Sequence, residues 1–139
     1  MGLSVKAKGL SENIVNNWSY STFNEFRINL ANTYNKEFGM LYNKLINDML
    51  TEKEFAIFNE LSDEDLNIFL LHSDCDGKLT STDCQKIYNA IKDLKMDMFS
   101  LNPSIIGIYN MLDNWKLILK HCYENNINLY FCWYLKRKF

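Results

Sequence analysis

One turn constrains this chain more than any other stretch. Residues 69–84 read Phe-Leu-Leu-His-Ser-Asp-Cys-Asp-Gly-Lys-Leu-Thr-Ser-Thr-Asp-Cys. An apolar run gives way to two aspartates and Gly77, and then to Thr80 and Asp83, which have the spacing of a helix start. Glycine takes a left-handed bend at no steric cost, and Asp side chains close turns on their own backbone. The pattern predicts a sharp reversal between two helices, whose direction the rest of the fold must accommodate.

Three readings of that turn stand side by side. In the first it is a metal-free connector: Asp74 and Asp76 form Asx turns, Gly77 adopts positive φ, and Thr80 with Asp83 caps the next helix. In the second it is a calcium loop of the EF-hand type. With Gly77 sixth, His72 falls at position 1, Asp74 at 3, Asp76 at 5, Lys78 at 7, Leu79 at 8 pointing inward to anchor the loop on the core, Thr80 at 9 and Asp83 at 12. A hard cation needs oxygens gathered on one concave side, and the glycine permits that curvature. The run Asp76–Asp83 also resembles the loops of dockerin modules, where Asp likewise closes the loop. His72 is a nitrogen donor, and Asp83 is shorter than the usual bidentate Glu. Binding would therefore be weak, on the order of 10⁻⁴–10⁻³ M. The third reading is zinc, held by His72, Cys75, Cys84, His121 and Cys122. Cys84 and Cys122 sit on apolar helix faces, where a free thiol behaves as a small hydrophobe.

Around the turn the sequence predicts a mainly α domain of α+β type spanning residues 1–139. Thr22 with Glu25 marks a helix start, with Phe23, Phe26, Leu30 and Tyr34 on one face and Gly39 as its break. Leu41, Leu45 and Met49 give a second helix. Thr51 with Glu54, and Ser62 with Asp65, open two short ones over 51–61 and 63–71. Cys84, Ile87 and Ile91 mark a helix after the turn. The longest apolar stripe runs from Ile105 through Trp115 to Cys122, in a helix opened by Pro103 and covered on more than one side. Period-two alternation appears at residues 3–8 and 127–134, predicting a small two-stranded sheet from the N- and C-terminal segments.

Composition narrows the function classes. Hydrophobic residues are 47% of the chain, which argues for a folded core, and a formal charge of −2 makes nucleic acid an unexpected partner. No apolar run is long enough to span a bilayer, and no leader pattern opens the chain, so a reducing cytoplasm and free thiols are expected. No phosphate loop, nucleophile elbow or His-Glu-x-x-His motif occurs. A cleft beside the turn could be lined by Trp18, Tyr20 and Arg27, which equally suit core aromatics with a nearby cation.

The run from His72 to Gly77, followed by Leu79, Thr80 and a helix led by Cys84, resembles a family of small bacterial and phage proteins. Its mark is a His-Ser-Asp-Cys-Asp-Gly motif, and it carries no assigned activity. Residues 18–27, the Met1-Gly-Leu start and Phe131-Cys132 fit the same family, although its members tend to have a His in the first strand region, where this chain has Lys6 or Lys8. The expected function is a small cytoplasmic binding protein acting on a protein partner or on a second copy of itself. Its cofactor is none, or weak calcium, with zinc the further alternative. The family resemblance and an AT-rich residue usage suggest a second function, a phage-encoded inhibitor or sponge of a host defence protein or its nucleotide signal. A nucleotide site of that kind needs Arg27, Lys78 and the basic residues 136–138 to converge. A metal-dependent hydrolase, needing His72 and Cys75 with an acid in an open cavity, is the remaining class.

Overall fold

A computed structural model describes residues 2–95 and 110–134. Among them the order is β1 (Gly2–Lys6), β2 (Asn17–Ser19), α1 (Tyr20–Tyr34), α2 (Lys36–Ile46), α3 (Glu52–Leu61), α4 (Glu64–Leu70), β3 (Lys78–Leu79), α5 (Ser81–Ile91), α6 (Met111–Glu124) and β4 (Leu129–Tyr134). The fold is mainly α, with a small antiparallel sheet in the order β2-β1-β4-β3. No helix among the described residues is long and apolar enough to cross a membrane.

The expected pairing of the terminal segments is present: Gly2 to Lys6 lie opposite Tyr134 to Tyr130. The sheet nevertheless has four strands, not two. Three residues of β2 pair with β1, Leu3 lying opposite Trp18, and two residues of β3 pair with β4 from inside the turn itself. Strands this short carry too few alternations to register as a period.

Alternation then sorts the sheet into two faces. Leu3, Val5, Leu79, Leu129 and Phe131 are buried against the helices, while Lys6, Asn17, Lys78 and Tyr130 are exposed on the other side. The helical body closes on Trp115 of α6, whose ring meets those of Trp18 at 5.2 Å, Phe23 at 5.7 Å, Phe69 at 4.8 Å and Phe131 at 6.0 Å. One residue thus joins β2, α1, α4 and β4, as the wide stripe of α6 implies. Residues 103–109, where that helix was expected to begin at Pro103, lie outside the described residues.

Helix boundaries follow their caps, and four differ from expectation; one is the end of α2, which stops at Ile46 and leaves the expected Met49 beyond it, exposed. Ser19, not Thr22, caps α1, accepting from the Thr22 N–H at 3.2 Å. Asp63, not Ser62, caps α4, accepting from Leu66 N–H at 2.9 Å, while the Ser62 hydroxyl donates back to Phe58 O at the end of α3. Gly39 is not a break. The chain turns at Asn35, which caps α2 through Phe38 N–H at 2.9 Å, and Gly39 lies inside α2. A Cβ there would stand 2.6 Å from the Asn32 backbone, so the glycine lets α2 lie close against α1. The capping boxes at Thr51/Glu54 and Thr80/Asp83 are both formed as expected.

Candidate functional site: the turn between α4 and α5

The turn begins where α4 ends. A helix leaves its last carbonyls without intrahelical partners, and a buried end must find donors elsewhere. Here the donor is Arg27 of α1. One terminal nitrogen, Nη1, lies 3.2 Å from Phe69 O, 3.1 Å from Leu70 O and 2.7 Å from His72 O, its two protons shared among the three. Nη2 donates to Asn24 Oδ1 at 3.2 Å, and the guanidinium carbon sits 4.5 Å over the Phe23 ring. The phenol of Tyr42 donates to Leu70 O at 2.9 Å from a second helix. A cation at a helix C-terminus also meets the negative end of the helix dipole.

Arg27 is only 6% exposed. Burial pulls its pKa below the ordinary value, while the Tyr42 phenol and the Asp74 carboxylate act in the opposite direction. Burial likewise raises the Tyr42 phenol, which Arg27 counteracts. Arginine tolerates this position because its pKa is so high that it stays charged, and because its flat fork can reach several carbonyls at once.

Beyond Arg27, the side chains of His72, Ser73, Thr80 and Asp83 fold onto the turn's own backbone. Ser73 Oγ accepts from Cys75 N–H at 3.2 Å and from Asp76 N–H at 3.3 Å, so a serine closes the turn that the aspartates were expected to close. The His72 ring packs 4.3 Å from Phe131, with Nδ1 2.7 Å from Ser73 O and Nε2 3.2 Å from Lys78 O. Gly77 has φ +83° as predicted, and its carbonyl accepts from Phe131 N–H at 2.9 Å, tying the turn to β4. Leu79 is buried and anchors the turn, also as predicted. Asp83 bends back so that Oδ2 accepts from Thr80 N–H at 3.0 Å, while Thr80 Oγ1 accepts from Asp83 N–H at 3.1 Å.

The expected ligand sets are therefore distributed. Among the described residues, no group of three or more His, Cys, Asp or Glu side chains is placed to hold a metal ion. In the hard-ion set, Asp74 acts on Arg27 through its charge, Asp76 is exposed, the His72 ring meets Lys78 O, and Thr80 pairs with Asp83. The soft-ion set divides three ways. Cys84 and Cys122 meet across the buried α5–α6 seam, where the hydrogen bond to Cys122 and then burial push the Cys84 thiol well up. His121 instead donates from Nε2 to Lys8 O at 2.8 Å and accepts at Nδ1 from the Asn125 amide at 3.4 Å, and Cys75 lies beside Ser73.

Trp18, Tyr20 and Arg27 do not share a role. Trp18 is a core residue stacked on Trp115, and Tyr20 starts α1 half-buried with partners of its own. Arg27 is held inside on carbonyls, so it cannot meet a ligand beside exposed Lys78. Residues 136–138 lie outside the described residues. The role of Arg27 as the clamp on the turn was absent from the sequence reading. Its position one helical turn beyond Phe23 and beside Phe26, on the apolar face of α1, is the signal that could have exposed it. In comparisons with known proteins, no family model matches the chain, and neither a curated protein nor a solved structure matches it.

Proposed function

We propose that this chain is a non-enzymatic binding protein in which residues 71–83 form a structural joint. The observation that supports this reading is the Arg27 clamp. The place where an ion-binding loop would begin is filled by a guanidinium from another helix, and the His72 ring and the Asp83 carboxylate are turned to backbone partners. A joint of this kind sets the angle between α4 and α5 and pins β3 to β4. The exposed surfaces on either side then hold a fixed relation, which is what a binding protein requires of its scaffold.

Thermal unfolding in calcium, compared with magnesium at equal concentration and with chelator, tests the joint. A millimolar calcium site at ten times its dissociation constant would stabilise the fold by about 1.4 kcal/mol, or several degrees in Tm. The expected result is the same Tm in calcium and magnesium. A calcium-specific rise that Asp74→Asn and Asp76→Asn abolish would overturn the structural reading of the turn.

A further inference from the structure

The outer face of the sheet holds a constellation that the turn does not explain. Tyr130 of β4 lies directly opposite Lys6 of β1 on one side and Lys78 of β3 on the other. Antiparallel neighbours in register put their side chains on the same face. The row Lys6–Tyr130–Lys78 therefore crosses three strands on the side away from the core. Tyr130 is 49% exposed, and both lysines are exposed without an ion pair among the described residues. The next row, Asn17–Ser4–Cys132, is neutral.

Net charge conceals this arrangement. Residues 48–76 carry nine carboxylates against one lysine, so the remainder of the chain is net basic within a protein of formal charge −2. The β-strand residues on the outer face include no Asp or Glu. Beside Tyr130 lies a depression of about 300 Å³ lined by Lys8, Asn126, Ile127, Asn128 and Tyr130. It joins a third lysine and two amides to the aromatic ring. Asn128 donates to the Tyr130 hydroxyl at 3.4 Å, holding the amide at the ring's edge. A second depression, of about 310 Å³, opens beyond Lys6 and contains Glu12.

We propose that this face binds single-stranded nucleic acid, with one base stacked on Tyr130 and the neighbouring phosphates met by Lys6, Lys8 and Lys78. Every base offers a planar face, so one exposed aromatic on an open sheet is a stacking platform, and flanking ammonium groups follow the backbone. Asn126 Oδ1 accepts from the Ser81 hydroxyl at 2.8 Å, which leaves the Asn126 amide nitrogen as donor and Asn128 Oδ1 as acceptor for a base edge. Glu12 repels phosphate, so the strand leaves the row on the Lys8 side. This deepens the binding-protein reading and rests on it, yet it involves none of the turn's clamp.

The test is fluorescence anisotropy of labelled twelve-residue oligo-dT and oligo-U, each in chelator and in calcium, so that a failure of the turn reading shows separately as a calcium dependence. Binding should weaken with salt at a log–log slope of about −2, as expected for two or three phosphates on a single strand. Tyr130→Ala should weaken it about tenfold or more. The double variant Lys6→Gln/Lys78→Gln should flatten the salt slope, while Asp76→Asn, which removes a carboxylate two residues from Lys78, should tighten binding. Circular dichroism of each exposed-site variant should match the parent. The proposal is overturned if neither oligonucleotide binds at low salt, or if duplex binds as well as single strand. It is equally overturned if folded Tyr130→Ala binds like the parent, or if mononucleotides compete as effectively as the oligomer.

Discussion

Replacing Arg27 by Met keeps the bulk of the side chain and removes its donors. Three carbonyls meet Nη1; Leu70 O also accepts from the Tyr42 hydroxyl, and Phe69 O from His72 N–H in a long contact of 3.4 Å. Phe69 O is then left on that long contact alone and the part-buried His72 O loses its side-chain donor, each at up to about 1–3 kcal/mol. Removing the guanidinium also relieves the desolvation that burial imposes on it, which returns part of that loss. The net expectation is a destabilisation of about 2–4 kcal/mol, or roughly 10 °C in Tm for a chain of this size. Urea unfolding followed by tryptophan fluorescence reads it directly, because Trp18 and Trp115 stack in the core beside the turn. Arg27→Lys, with one compact ammonium in place of a fork, should recover part of the stability. Tyr42→Phe combined with Arg27→Met should cost more than the sum of the two, since Leu70 O then loses both donors. A folded Arg27→Met variant within about 0.5 kcal/mol of the parent would refute the clamp, because the carbonyls would then have to find solvent or other donors without penalty.

Further outcomes follow from single contacts. Gly39→Ala should destabilise by about 1–3 kcal/mol despite alanine's better helix propensity, because the added Cβ meets the Asn32 backbone at 2.6 Å; a rise in Tm would contradict the α1–α2 approach. Gly77→Ala should cost about 1–2 kcal/mol in urea unfolding because φ is +83°, the new methyl meeting the His72 ring only at ordinary contact distance, 3.4 Å. The Lys44 ammonium, 2.6 Å away, together with the Thr51 contacts holds the half-buried Glu54 carboxyl below its ordinary pKa. A depressed folded-state pKa contributes stability above the unfolded value and loses it as pH falls through the acid range. Glu54→Gln should therefore be slightly less stable than the parent at neutral pH, and the gap should close in acid; a gap that widens in acid would reverse that sign.

What could be read from the sequence was what one local signal specifies. Two capping boxes, the positive φ of Gly77, the inward anchor Leu79, the central α6 stripe and the pairing of the terminal strands all depend on short patterns with one physical meaning. The boundaries that moved did so where two residues compete for one cap, as Ser62 and Asp63 do. Gly39 was misread because a glycine at a helix break and one at a close helix crossing look alike without the facing residue, Asn32. The short strands β2 and β3 exist through their partners, so nothing local announces them. Arg27 is the clearest case. Its partners lie 42 to 45 residues away, and no spacing rule links a cation on one helix to the carbonyl end of another. The same holds for Lys6, Tyr130 and Lys78, which only strand register brings together.

The clamp itself is visible to nuclear magnetic resonance. In a sample labelled with nitrogen-15 and carbon-13, a guanidinium held on carbonyls rotates slowly, so the Arg27 Nη protons should give separate signals, protected from exchange with water. They should also show scalar coupling across the hydrogen bonds to the carbonyl carbons of Leu70 and His72. A single averaged Nη signal that exchanges as fast as those of exposed arginines would contradict the account at its centre.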